Sequence, residues 1–131
     1  MVKFGYLILT VEDVAKAVAF YEASFGFLKK FISPDNDYAE LQTGETAIAF
    51  ISKELGRSNL KNGFIESSLQ NKPFGIELAL VTETVDETIQ RSVENGAVLV
   101  EAPVQKPWGQ TVAYIRDING FLIELCTPMS A

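Results

Sequence analysis

Histidine is missing from all 131 residues. Its absence removes the usual general base at neutral pH and the commonest nitrogen ligand for transition metals. Ser52, Ser58, Ser67 and Ser68 therefore have no triad partner. There is one cysteine, Cys126. No disulfide can close within the chain, which fits a reducing compartment, and Cys126 reads as a structural thiol rather than a nucleophile. The apolar run in MVKFGYLILTVEDV is too short to span a bilayer, and it lacks a signal-peptide cleavage pattern. A cytoplasmic protein is the expectation. Basic residues are few: 11 Lys and Arg stand against 17 Asp and Glu, for a net charge of −6. Without a concentrated positive surface, neither a nucleic acid nor a membrane is expected as a partner. No phosphate-binding glycine loop occurs, because the nine glycines fall at turns and helix ends.

What is present is a repeat. Residues 5–26, GYLILTVEDVAKAVAFYEASFG, and residues 75–96, GIELALVTETVDETIQRSVENG, follow one order: apolar strand, polar break, amphipathic helix, glycine. Hydrophobic residues make up 47% of the chain, enough for a core in one domain spanning 1–131. In the first copy, Tyr6–Val11 reads as a strand, and Asp13 caps a helix carrying Val14, Val18, Tyr21 and Phe25. Gly26 stops it, and strands follow at Phe27–Ile32, Tyr38–Gln42 and Thr46–Ser52. The second copy has strands at Ile76–Val81, Val98–Glu101, Thr111–Arg116 and Phe121–Cys126. Its helix is expected to open on a Thr84/Glu87 capping box and to bury Val85, Ile89 and Val93. Each copy is thus a βαβββ module, one at about 1–52 and one at about 74–131. Residues 53–73 read as an irregular intermodule connection, either a plain linker or a functional loop. The fold class is α+β, with two paired βαβββ modules forming a cup-shaped sheet.

Strand alternation sorts the faces. Leu7, Leu9, Val11, Leu78, Leu80, Ile123 and Leu125 fall on the helix side. Tyr6, Ile8, Thr10, Glu77, Ala79, Val81, Glu124 and Cys126 fall on the open side. Glu77 and Glu124 are therefore carboxyls in apolar strands, where an unpaired charge loses solvation. If they lie close together, at least one has a raised pKa. They either form a site for a cation, a metal or a proton transfer, or face solvent or pair with Arg116 or a lysine. Trp108, in a loop bracketed by Pro103, Pro107 and Gly109, either stacks on a flat ligand or covers a sheet edge. Tyr6, Tyr38 and Tyr114 can line the same cavity or be ordinary strand tyrosines. Glu40 faces either the pocket or solvent, with solvent the expectation.

The segments VEDVAKAVAFYEASFGF and NGAVLVEAPVQKPWGQTVAYIRDINGFLIEL resemble the vicinal oxygen chelate superfamily, which includes glyoxalase I, extradiol dioxygenases and bleomycin-resistance proteins. The most specific part is Trp108-Gly109-Gln110 followed by Asp117, Gly120 and a closing Ile-Glu-Leu. The resemblance implies paired βαβββ modules and a homodimer with two pockets. It also implies four open-face ligand positions, usually His, Glu, His and Glu, which fall here on Tyr6, Ala49, Glu77 and Glu124. Two potential ligands survive, fewer than a catalytic divalent ion normally needs.

The leading expectation is a metal-independent binding protein for an aromatic or cationic small molecule, similar to the bleomycin-resistance branch. Its ligand-binding residues would be Tyr6, Ala49, Glu77, Trp108, Tyr114 and Glu124, with no cofactor. The alternative is a glyoxalase-like lyase or isomerase, or a dioxygenase-family enzyme, using Glu77 and Glu124 as catalytic groups with a loosely bound divalent metal. A third is a structural or regulatory dimer with a vestigial pocket.

Overall fold

A computed structural model describes residues 1–129 and divides into two compact units, Met1–Glu66 and Ser67–Ala131. Unit one runs β1 (Tyr6–Val11), α1 (Val14–Phe25), β2 (Leu28–Ile32), β3 (Tyr38–Gln42), β4 (Ala47–Ser52) and α2 (Lys53–Asn59). Unit two runs β5 (Glu77–Val81), α3 (Val85–Glu94), β6 (Val98–Gln105), β7 (Thr111–Arg116) and β8 (Leu122–Cys126). Each holds a four-stranded mixed sheet, in the orders β1-β4-β3-β2 and β5-β8-β7-β6. In both, the first and last strands run parallel and the remaining pairs antiparallel. The α+β class and the βαβββ module are therefore as the sequence implies. No helix among the described residues is long and apolar enough to cross a membrane.

Helix α1 forms as its sequence dictates. The Asp13 carboxylate accepts from the Lys16 amide at 3.0 Å, which satisfies an orphan donor of the first turn. Gly26 ends the helix at φ 75°, a conformation a Cβ would oppose, and its N–H closes on Glu22 O at 3.0 Å. The buried side is Val14, Ala17, Val18, Phe20, Tyr21 and Ser24. Tyr21 lies 5.0 Å from Phe50 of β4, ring centre to ring centre, and both are fully buried.

Helix α3 departs from expectation at both ends. Thr84 makes no capping bond. Its hydroxyl instead lies 3.2 Å from that of Thr82, whose oxygen also accepts the Thr84 amide at 3.1 Å. A neighbouring hydroxyl has thus taken over the local hydrogen bonding that a capping box needs. The buried residues are Val85, Thr88 and Ser92, and Val93 is exposed. The helical stripe therefore runs through Thr88 and Ser92 and does not reach Val93.

Two further expectations are corrected. Residues 53–73 are not irregular throughout, because Lys53–Asn59 is helical. Ser52 caps it by accepting from the Leu55 amide at 3.1 Å, and Gly56 lies close under the Phe64 ring. Strand β6 continues past Glu101 to Gln105 and includes Pro103. It is an edge strand, where a missing N–H costs no ladder bond, so proline is tolerated.

Candidate functional site

Both sheets carry a β-bulge in their second strand at the same rung. The pairing shifts between Lys29 and Phe31 in β2, opposite Glu40, and between Leu99 and Glu101 in β6, opposite Tyr114. Bulges re-aim side chains and gather beside functional positions. The rung in unit one reads Phe31, Glu40, Ala49, Ile8 across the strands, and in unit two Glu101, Tyr114, Glu124, Ala79.

In unit two the open face gathers three predicted residues. Tyr114 donates its phenolic O–H to Glu124 Oε1 at 3.1 Å. Glu77, two residues before Ala79 on β5, is close enough to hydrogen-bond Glu124 and to feel its charge. Burial first, then the bond and repulsion from Glu124, push the Glu77 carboxyl up, against a smaller downward pull from the Tyr114 hydroxyl. The Tyr114 phenol is pushed up to about 12 by burial and by both carboxyls, so it stays a proton donor. Cys126 follows the same logic: burial first, then Glu124, raise its thiol, whose hydrogen bond goes to Leu80 O at 3.9 Å. The thiolate is disfavoured, so the thiol is no nucleophile.

Arg116 is not the partner of either glutamate in this arrangement. Its guanidinium is buried and donates to Gly120 O at 2.9 Å and to Ser68 O at 3.0 Å, clasping the 67–70 loop to the last hairpin. Trp108 is exposed, and its Nε1 is committed to Gln110 Oε1 at 2.8 Å. It stands three residues before the start of β7 at Thr111 and is not bonded into the Glu77–Tyr114–Glu124 group.

Tyr6 and Ala49 lie on the open face of unit one, Tyr6 exposed and Ala49 fully buried beside Glu40. Glu40 corrects the sequence reading. It is only 7% exposed, accepts from the Tyr38 hydroxyl at 2.8 Å through Oε2, and pairs with Lys30 at 3.8 Å through Oε1. Burial first, then Glu40, raise the Tyr38 phenol to about 12. Alternation from Tyr38 was the signal that could have found Glu40, since residues 38, 40 and 42 share the open face. Among the described residues, no three His, Cys, Asp or Glu gather closely enough to hold a metal ion.

Two βαβββ units, each with its reactive groups on the sheet face away from the helix, define a class of small α+β proteins built by module duplication. The sequence matches the Glyoxalase/Bleomycin resistance protein/Dioxygenase superfamily over residues 3–125, and the chain belongs to it. It is similar to the uncharacterized protein YraH of Bacillus subtilis, 31% identical over 89% of this chain and 91% of that one. It also resembles virulence protein STM3117 of Salmonella typhimurium, 24% identical over 94% of this chain and 82% of the relative. Among solved structures, a glyoxalase-related enzyme from Fulvimarina pelagi superposes with a TM-score of 0.82 at 18% identity, covering 98% of this chain and 89% of that one. At that identity the likeness concerns the fold alone.

Proposed function

We propose that the protein binds a small cationic or aromatic molecule on the open face of unit two, without a resident metal. The observation that carries this is the meeting of Glu77, Tyr114 and Glu124 on one apolar sheet face. A positively charged group would relieve the repulsion from Glu124 that helps to push the Glu77 carboxyl up. Unit two is also the more acidic half, with four Lys and Arg against eight Asp and Glu. The donor set argues against a divalent ion: of the four ligand positions the superfamily's metal-dependent members use, two fall here on Tyr6 and Ala49, which supply neither histidine nor carboxylate. Sequestration of the bleomycin-resistance type needs only binding and no reacting group. A homodimer in the cytoplasm belongs to this reading, supported by apolar residues left open on the sheet faces, Ile8 at 48% and Val81 at 63% exposure.

The test is a titration of full-length protein, dialysed against chelator, with cationic aromatic and aliphatic amines, read by Trp108 fluorescence and calorimetry. Saturable binding is expected, weakened about tenfold, or 1.4 kcal/mol, by Glu124→Gln. Binding that appears only after a divalent ion is added would overturn the metal-free reading. One observation favours a second reading, acid–base catalysis: a carboxyl with a raised pKa, Glu77, lies within reach of the Tyr114 hydroxyl. Turnover abolished by Glu77→Gln while ligand affinity persists would select it.

A further inference from the structure

The charged groups of unit one do not belong to the site just described. A cavity of about 640 Å³ opens on this unit, with Lys3, Tyr6, Lys30, Glu40, Gln42 and Glu45 among its lining residues. That volume suits a small organic molecule. Two lysines and two glutamates give the lining both signs of charge. A simple cation would meet two ammonium groups there, and a simple anion would meet two carboxylates. A molecule carrying one charge of each sign satisfies both sets.

The geometry at Glu40 fits this. Its carboxylate is buried, and Tyr38 fixes its orientation by holding Oε2 at 2.8 Å. Oε1 then points to Lys30, but at 3.8 Å, which is an ion pair too long to be a hydrogen bond. The Lys30 side chain is 59% exposed, so its ammonium can swing away at little cost. A ligand ammonium can take Oε1 at bonding distance, and the released Lys30 can close on the ligand's own carboxylate, with Lys3 beside it. The β2 bulge is what brings Lys30 to this rung. Ala49, the neighbour of Glu40 on β4, adds no side chain beyond its methyl group.

We propose that unit one holds a second binding site, centred on Glu40 and Lys30, for a small dipolar molecule bearing an ammonium and a carboxylate, such as a free amino acid. The proposal rests on residues of unit one alone and stands whether or not the Glu77–Tyr114–Glu124 group binds a cation.

The experiment is an amide chemical-shift titration of isotopically labelled full-length protein with 4-aminobutyrate, 6-aminohexanoate and free lysine. Butylamine and butyrate serve as single-charge controls. Saturable shifts are expected at Glu40, Gln42 and Ala47, with the controls at least tenfold weaker. Lys30→Met, at an exposed position that keeps the core intact, is expected to lower affinity at least tenfold. Glu40→Gln is expected to do the same, with circular dichroism reporting on its fold. The proposal is overturned if the controls bind as well as the dipolar probes, or if Lys30→Met leaves affinity unchanged. It also fails if no probe saturates, or if shifts are confined to Glu77, Tyr114 and Glu124.

Discussion

The two units place different side chains at equivalent points of one scaffold. Matching Tyr6 to Glu77 and Val14 to Val85 sets Tyr21 against Ser92 on the helices, and Phe50 against Leu125 on the last strands. All four of these core residues are fully buried. In unit one the space holds two rings in contact, extended by Phe20 and Phe25, whose ring centres lie 5.4 Å from that of Tyr21. In unit two a hydroxyl takes the place of one ring. The open faces differ as well: unit one carries a buried acid, Glu40, on β3, and unit two a half-buried one, Glu124, on β8. A βαβββ unit therefore fixes strand order, bulge and rung, while the residues on each rung are free to exchange roles.

The largest expected effect sits where the rings are. Phe50→Ala is expected to cost about 3–5 kcal/mol, since it removes a buried ring with no nearby chain able to fill the gap. In hydrogen exchange, the α3 amides are expected to open before those of α1, because α3 buries only Val85, Thr88 and Ser92. Equal protection of the two helices would contradict this account of the difference.

The two hairpin turns sharpen the comparison. Gly44 and Gly120 both have positive φ, 113° and 87°. A Cβ on Gly44 would meet nothing within 4 Å, whereas one on Gly120 would lie 2.7 Å from the Ser68 carbonyl carbon and 2.9 Å from Arg116 Nη2. Gly120→Ala is expected to cost about 2–3 kcal/mol by adding a clash to backbone strain. Gly44→Ala carries the strain alone, about 1 kcal/mol. Denaturant unfolding of both variants checks this, and equal losses would remove the Arg116–Ser68 clasp as the cause.

Helix serines give a smaller contrast of opposite sign. Ser92 donates to Ile89 O at 2.9 Å, while the buried Ser24 hydroxyl has no hydrogen-bond partner. A buried unsatisfied group destabilises, so Ser24→Ala is expected to add about 1 kcal/mol. Ser92→Ala exchanges a local bond for better helix propensity and is expected to stay within about 0.5 kcal/mol of the parent. A destabilised Ser24→Ala in thermal melts would show that the hydroxyl finds a partner in solution.

Much of this was legible in the sequence. The strand and helix periods give the elements, Asp13 and Gly26 bound α1, and alternation brings Glu77, Tyr114 and Glu124 to one face. Other features were hidden for identifiable reasons. Ser52 before Glu54 marks the start of α2 and Arg57 its last turn, but a seven-residue helix is too short to show a period. The failed Thr84 cap depends on which hydroxyl Thr82 engages, and composition does not encode that choice. Glu40 looked like a solvent residue because glutamate usually is one. Its burial rests on Tyr38 and on a bulge that no local pattern announces.

The smallest effect tests the electrostatic contrast. In unit one, the hydrogen bond and charge of Lys53 pull the Glu12 carboxyl down, while in unit two burial and Glu124 push the Glu77 carboxyl up from its ordinary value of 4.5. The signs for stability are opposite. Folded Glu77 keeps a proton that the unfolded chain has already released, so stability falls as pH rises above 4.5 and levels off once the folded group has also ionised. Glu12 does the reverse: its contribution is present above 4.5 and is lost as pH falls through its lowered value. Glu77→Gln is therefore expected to gain on the parent as pH climbs, by less than about 1 kcal/mol because the side chain is partly screened by solvent. Glu12→Gln is expected to lose ground over acidic to neutral pH. Melting temperatures measured from pH 4 to pH 9 decide the matter. If the Glu77→Gln curve stays parallel to the parent's, the two carboxyls of unit two do not share a proton. The unit would then offer a cation no more than unit one does.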